Sequence, residues 1–507
     1  MSGGVGGERS RRLDAICALL LLVAGTSLCM HVFASGKWGP RPNTQDESVY
    51  LFQAKTLASG HLTMPSPPLP EFFQAAHLLT VPRFAAKYLP GHAALLAPFE
   101  ALGMVWLAPC LLLGATAALL FLAARLAGLS LWASWVAALL LLGNTEVFPF
   151  FASYLSQASS VAGAAAVIAL ALAVDLRPRP GRIAALFAAI AFTGLVRPFA
   201  GAAALATGAV VILRIRRRTP PLTLAWALPP LIAGALALGV VCKASTGSWT
   251  TAPWSLYAKQ YMPFDGPGIG PVRSDAPTLS LPPHLRDLEV GFRQSRERHT
   301  FARLPGEAFR RLLLVGNLLP GWVAVAFAVA GLLWRPLWPA GVFAAAFFLL
   351  QLTFHFRAPI YYLETVPWLC LAAAAGAELA VRFVRGLRLA AALPAAAALV
   401  LAALWVGVLM GTGVRLVVVH AKERHWTYAL WEPAFEWLRE QRALVFLRYP
   451  AKWDGNIDLT YNEPDLSRAS LVRAIDLGAR DGELLPFFPG RPAFVLDVVT
   501  LRAERIR

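Results

Sequence analysis

Residues 13–33 read LDAICALLLLVAGTSLCMHVF, and a short way on residues 44–51 read Thr44-Gln45-Asp46-Glu47-Ser48-Val49-Tyr50-Leu51. The first run is long enough to cross a hydrocarbon core, which takes about 20 apolar residues for about 30 Å. The second places two carboxylates just beyond that run, where charge persists only against water or a polar cleft. An acidic pair at the edge of a hydrophobic span is where a membrane enzyme would hold a catalytic base.

The rest of the chain repeats the first signal. Of 507 residues, 57% are hydrophobic and 15% charged, with a mean hydropathy of +0.57. That balance excludes an ordinary soluble domain and gives a polytopic α-helical membrane protein. About eleven spans are predicted, near 13–33, 105–126, 130–148, 154–174, 183–197, 199–213, 222–242, 312–333, 338–354, 360–381 and 389–412.

The net charge of +17 is a matter of topology. Arginines gather in short connections: Arg9, Arg11 and Arg12; Arg177, Arg179 and Arg182; Arg214, Arg216, Arg217 and Arg218; Arg382, Arg385 and Arg388. Basic residues in short loops mark the cytoplasmic side, and eleven alternating spans put every one of these groups there. Nucleic acid would require a contiguous basic face instead. The N-terminus is then cytoplasmic. The first span is read as an uncleaved anchor rather than a signal peptide, because its apolar run is long.

This topology expects a transmembrane domain over residues 1–412, with outer loops at 34–91 and 243–311. It also expects a small extracytoplasmic α/β domain over 413–507. In that tail a helical stretch near 428–441 precedes the strand-like Leu444-Val445-Phe446-Leu447, and Ala493-Phe494-Val495-Leu496 forms a second strand. Cys17, Cys29, Cys110, Cys242 and Cys370 all fall in or beside apolar spans, without the spacing of a zinc site or disulfide framework.

Thr44 and Glu47 stand at capping-box spacing, so this stretch predicts a helix start whether or not it is catalytic. The helix that follows should lay Tyr50, Leu51, Ala54, Leu57 and Ala58 on one stripe and stop at Gly60. Further along, Ala86-Lys87-Tyr88-Leu89-Pro90-Gly91-His92 sets a cation, an aromatic ring and a breaker before the next span. Glu146, at the outer end of the third span, is a candidate second acid or metal ligand, or a solvated helix terminus. Glu364 falls inside a span and calls for an arginine partner or a polar cleft.

These residues resemble the GT-C class of polyprenyl-phosphate-sugar-dependent glycosyltransferases, in the style of protein O-mannosyltransferases and lipid A aminoarabinose transferases. The resemblance rests on Asp46-Glu47 with Tyr50-Leu51 and on Lys87-Tyr88-Leu89-Pro90-Gly91. It extends to Ser153-Tyr154-Leu155-Ser156, Val196-Arg197-Pro198, Arg357-Ala358-Pro359-Ile360-Tyr361-Tyr362-Leu363-Glu364, Asp476-Leu477-Gly478 and Phe488-Pro489-Gly490-Arg491-Pro492. Two departures stand out: Lys87-Tyr88-Leu89-Pro90 where relatives carry a lysine before two prolines, and Gln157 where they often carry histidine.

The resemblance implies an envelope enzyme in the inner or plasma membrane that moves a sugar from a polyprenyl-phosphate donor to a hydroxyl on a lipid, glycan or protein. Asp46 would be the base, with Glu47 beside it. Lys87, Arg357 and Arg197 would meet the lipid phosphate, with Tyr88 and Tyr361 in the donor site. No metal ligand set is named, and a divalent cation as cofactor is left open. A transporter or flippase for lipid-linked saccharides, or an assembly protein without catalysis, is the competing class; polar residues at mid-span would mark a transporter.

Overall fold

The computed structural model describes residues 3–35, 41–272, 277–386 and 427–507. Its chain divides into two compact units. One comprises Met1–Pro40, Trp106–Ala235 and Arg303–Arg424, and the other Arg41–Val105, Leu236–Ala302 and His425–Arg507. The two stretches expected as outer loops therefore group with the tail.

Among the described residues six helices are long and apolar enough to cross a membrane: Arg11–Ala34, Leu107–Leu126, Gln157–Leu176, Pro198–Ile215, Pro221–Thr246 and Leu363–Val384. A pair bent by 94°, Trp322–Gly331 with Arg335–Gln351, makes a seventh if it is one span. Six expected spans match these six helices. Two others are shorter apolar helices, Leu131–Leu142 and Pro180–Val196. The span expected at 389–412 lies outside the described residues.

The expected span 312–333 needs correction. It is broken into the helices Leu304–Gly316 and Trp322–Gly331. Pro320 and Gly321 stand at the break; Gly321 has φ 81°, a conformation glycine takes readily and other residues resist. The span expected at 130–148 ends at Leu142 for a similar reason. Gly143 follows it, and the Asn144 side-chain oxygen accepts from the backbone amides of Glu146 and Val147 at 3.0 and 3.2 Å.

Small residues let helices in the first unit approach closely. A side chain on Gly331 would collide with the Ala372 carbonyl, and one on Gly376 with the Phe327 carbonyl. The helices Trp322–Gly331 and Val366–Gly386 thus meet backbone to backbone, as small residues allow in membrane bundles. Outward, Leu228, Ile232, Leu19 and Leu20 remain exposed. Apolar surface of this extent needs a lipid cover.

In the second unit, helix Gln45–Ala58 begins as the sequence requires. Thr44 is its N-cap, the Thr44 hydroxyl oxygen accepts from the Glu47 amide at 3.3 Å, and Gly60 follows its end at φ 82°. Its buried face overlaps the expected stripe only in part: Tyr50 and Ala54 are buried as expected. Val49, Phe52, Gln53 and Thr56 are buried, while Leu57 is only half-buried and Ala58 is exposed. The helix packs Val49 and Phe52 against Ala75, Leu78, Phe84, Ala86 and Tyr461. Protein on that side, with Gln53 donating to the Tyr88 carbonyl at 3.1 Å, turns the helix partly away from its apolar stripe.

Three short strands follow: β1 (Met64–Pro65), β2 (Leu78–Leu79) and β3 (Arg83–Ala86), in the order β1-β3-β2, all antiparallel. The tail builds a second sheet from β4 (Leu444–Arg448), β5 (Val472–Ile475), β6 (Ala493–Asp497) and β7 (Ala503–Arg505), ordered β5-β4-β6-β7. β4 lies parallel to β5 and β6, and β7 is antiparallel to β6. Alternation along β4 decides what each face meets. Val445 and Leu447 pack with Phe435 and Leu438 of helix Glu432–Glu440. Leu444 and Phe446 pack with Phe72 and Phe73 from the first expected outer loop.

The tail also carries a pH-sensitive carboxyl. Asp481 is 6% exposed; burial, with the neighbouring Asp476 carboxylate, pushes it up from the ordinary aspartate value to about 7. An acid whose folded value is raised favours folding while protonated, so this contribution is present at low pH and lost as pH rises through 7. Amide protection across 472–497, corrected for the base-catalysed intrinsic rate, should therefore fall between about pH 4 and pH 7. Asp481→Asn, which keeps the shape of the protonated acid, should flatten that dependence. A dependence unchanged in the variant would place its source elsewhere.

Candidate functional site

The acidic pair separates into two roles on geometry alone. Glu47 is 1% exposed, and its Oε1 accepts from the Asn43 amide at 3.2 Å and from the Thr44 hydroxyl at 3.3 Å. The carboxylate thus reaches back over the helix start as the acid of a capping box does, here to the amide one residue before the N-cap. Asp46, one residue earlier in the same turn, is half-buried. Its Oδ1 accepts the phenolic hydrogen of Tyr88. One carboxylate is committed to the helix start, and the other is presented by it.

Tyr88 is held on both sides. Its ring stacks on Tyr50, centroids 4.6 Å apart at 21°, and lies 5.8 Å from His77. Burial, then the Asp46 charge, pushes its phenol well up, so it keeps its proton and donates it to Asp46. His77 is 6% exposed, and its Nδ1 has no hydrogen-bond partner among the described residues. Burial, reinforced by the Lys87 charge, lowers its imidazole to about 4, so it is neutral near pH 7.

Lys87 is 7% exposed. Its Nζ contacts Asp265 Oδ2 at 2.9 Å and lies 5.0 Å from the Tyr257 ring centroid and 5.5 Å from that of Tyr88. The Tyr257 hydroxyl in turn accepts from the His77 amide at 3.0 Å. The structure thus brings together Asp46, Tyr88 and Lys87 from the sequence reading and adds His77, Tyr257 and Asp265.

The added residues were not legible. Asp265 stands in the loop Pro263-Phe264-Asp265-Gly266-Pro267-Gly268, where a lone carboxylate in a turn-rich stretch has no periodic signal. Tyr257 and Tyr261 share one face of helix Pro253–Tyr261 at i,i+4 spacing, and both are buried. That spacing marks a buried face; it does not say what the face meets.

A second buried cluster supports this arrangement. Asp458 accepts from the Ala76 amide at 2.8 Å and the Thr460 amide at 2.9 Å, and it faces His284 Nε2 at 3.7 Å. Burial works to raise its carboxyl, but His284 and the two amides outweigh that and hold it below the usual range. The His284 ring stacks flat on Tyr449 at 3.8 Å. Next to His77, the loop that carries Ala76 is therefore pinned by the tail.

The remaining sequence candidates lie in the first unit. Arg197 is in extended conformation between the helices Pro180–Val196 and Pro198–Ile215, as an arginine before proline should be. Its Nη1 lies 3.3 Å from Oε1 of Glu364, which is fully buried and also accepts from the Ser160 hydroxyl at 2.7 Å. The arginine partner expected for Glu364 is thus Arg197. Arg357 pairs with Glu307 at 3.0 and 3.2 Å. Glu307 also takes Arg310 at 3.1 Å and the fully buried Arg311 at 3.9 Å, and Arg311 donates to the Tyr362 hydroxyl at 3.1 Å.

Tyr361 packs in an aromatic group with Phe354 and Phe356, centroids 5.1 and 6.2 Å away. Glu146 is exposed, and its amide is taken by the Asn144 side chain. Among the described residues no three His, Cys, Asp or Glu side chains converge as a metal site would require. All five cysteines are buried and free.

No protein-family model and no curated protein matches this sequence. Solved structures do match. ArnT from Cupriavidus metallidurans in the apo state aligns with a TM-score of 0.55 at 15% identity, over 96% of this chain and 94% of that one. The same protein bound to undecaprenyl phosphate aligns at 0.49 and 15%, over 94% and 92%. The archaeal oligosaccharyltransferase AglB from Archaeoglobus fulgidus aligns at 0.44 and 12%, over 83% of this chain and 58% of that one. With six apolar helices of spanning length among the described residues and the apo ArnT likeness along nearly its whole length, this chain is a membrane protein with a GT-C-like fold.

Proposed function

We propose that this protein is a membrane glycosyltransferase that takes a sugar from a polyprenyl-phosphate donor and passes it to an acceptor hydroxyl. The observation that carries the reading is the Asp46–Tyr88 contact beside the buried Lys87 cation. Asp46 accepts the acceptor's hydroxyl proton as its oxygen attacks the anomeric carbon. The bond from that carbon to the phosphate oxygen breaks, and the electron pair leaves with the lipid phosphate. A positioned base contributes about 10²–10⁴-fold, and charge aimed at the leaving phosphate is the second requirement.

Lys87 supplies that charge, and Tyr88 fixes the Asp46 rotamer through its hydroxyl. Arg357 and Arg197 are further phosphate cations, and Tyr361 is a donor contact, on the sequence resemblance alone. Glu47 serves the base by holding the first helical turn. The second unit lies on the outer face of the membrane and the arginine-rich connections on the cytoplasmic face, because short basic loops stay inside. Single cysteines placed at 71 and 463 should label in intact cells, and one at 216 should not; the reverse pattern overturns the orientation.

Purified protein incubated with radiolabelled polyprenyl-phosphate sugars and a panel of hydroxyl acceptors tests the activity. Consumption of donor with label appearing on acceptor is the expected result. Label that crosses a bilayer with its sugar–phosphate bond intact would make the protein a transporter.

A further inference from the structure

Lys87 is a cation that this fold cannot leave alone. Its ammonium lies between the rings of Tyr88 and Tyr257, next to an uncharged His77, and is almost wholly removed from solvent. A buried ammonium needs an anion in direct contact. Asp265, 178 residues away in sequence, provides it at 2.9 Å.

The backbone around Asp265 is built to be held and to turn. Just before it, helix Pro253–Tyr261 ends. Just after it come Gly266, Gly268 at φ 134° and Gly270 at φ 89°. Arg296 Nη1 donates to the carbonyls of Gly266 and Gly268, and the Gly270 amide donates to the His299 carbonyl at 2.7 Å. Arg296 and His299 thus hold the glycines that follow Asp265, and the Asp265 carboxylate is a further attachment of this stretch, to Lys87.

We propose that Asp265 is an internal competitor for the phosphate subsite at Lys87: its carboxylate and a phosphate oxygen of a polyprenyl phosphate occupy the same face of the ammonium in turn. The inference rests on the reading of Lys87 as the phosphate-binding cation. Two anions at contact distance from one poorly solvated cation repel each other strongly, so arrival of one releases the other. Donor binding thereby frees the Asp265 carboxylate and loosens residues 263–265, while Arg296 and His299 still hold residues 266–270. The same competition assists release of the polyprenyl phosphate left after transfer, which carries more charge than the donor's phosphodiester and would otherwise be held more tightly.

The test is binding of undecaprenyl phosphate to the full-length protein in nanodiscs, with undecaprenol as the uncharged control. If the Asp265-paired form is about 90% populated, Asp265→Asn should tighten undecaprenyl phosphate binding roughly tenfold by removing the competitor. Undecaprenol binding should not change. In the wild-type chain, undecaprenyl phosphate and not undecaprenol should speed amide exchange over 264–266, a readout independent of how well any variant folds. Weaker or unchanged binding in Asp265→Asn, with Lys87→Met still weakening it, would overturn the competitor and make Asp265 a positioning residue for Lys87. Undiminished binding in Lys87→Met would instead overturn the reading of Lys87 itself.

Discussion

Asp46→Asn should lower sugar transfer by about 10²–10⁴-fold, the range for loss of a positioned general base, with the protein still inserted and folded. The side chain keeps its size and can still accept from the Tyr88 hydroxyl, so the change removes proton affinity and little else. Glu47→Gln should behave differently. Its carboxylate accepts from the Asn43 amide and the Thr44 hydroxyl and is buried. Loss of a cap typically costs about 0.5–2 kcal/mol, so thermal stability should fall while turnover per folded molecule changes less. Equal losses of activity and protein level in both variants would show that the pair only starts the helix.

Lys87→Gln should slow turnover of bound donor by about 10²–10³-fold, as removal of one charge-stabilising donor does elsewhere, and should weaken donor binding much less. The phosphate gains charge as the glycosidic bond breaks, so the interaction strengthens towards the transition state and appears in kcat. Removing the cation alone also strands Asp265, which is largely buried, and breaking such a pair can cost about 3–5 kcal/mol of stability. The double variant Lys87→Gln with Asp265→Asn leaves no unpaired charge. It should recover the stability and keep the slow turnover. Recovery of turnover as well would reduce Lys87 to a structural partner of Asp265. Arg357→Gln is a milder probe, because Arg357 is exposed and shares Glu307 with Arg310; a solvated pair of this kind is worth little to stability, so any drop in kcat would report chemistry.

What depends on near neighbours and on solvent was legible in the amino-acid order. Apolar runs of spanning length fixed the membrane class, Thr44 and Glu47 fixed where the helix carrying Asp46 begins, and Pro198 set Arg197 at a helix junction. Each is a matter of four residues or fewer, or of summed transfer energy along one run. Even there the reading failed where local breakers interrupted an apolar stretch, as Pro320-Gly321 did within 312–333. Which charges meet depends on the folded chain. Tyr88 reaches Asp46 across 42 residues, Ser160 reaches Glu364 across 204, and Lys87 reaches Asp265 across 178. The face of helix Gln45–Ala58 that is buried was decided in the same way, by Phe84, Ala86 and Tyr461 arriving from elsewhere in the chain. A buried charge dictates that it must have a partner, which is legible from composition and hydropathy. The partner's identity depends on where the chain returns, and no periodicity in the sequence carries that.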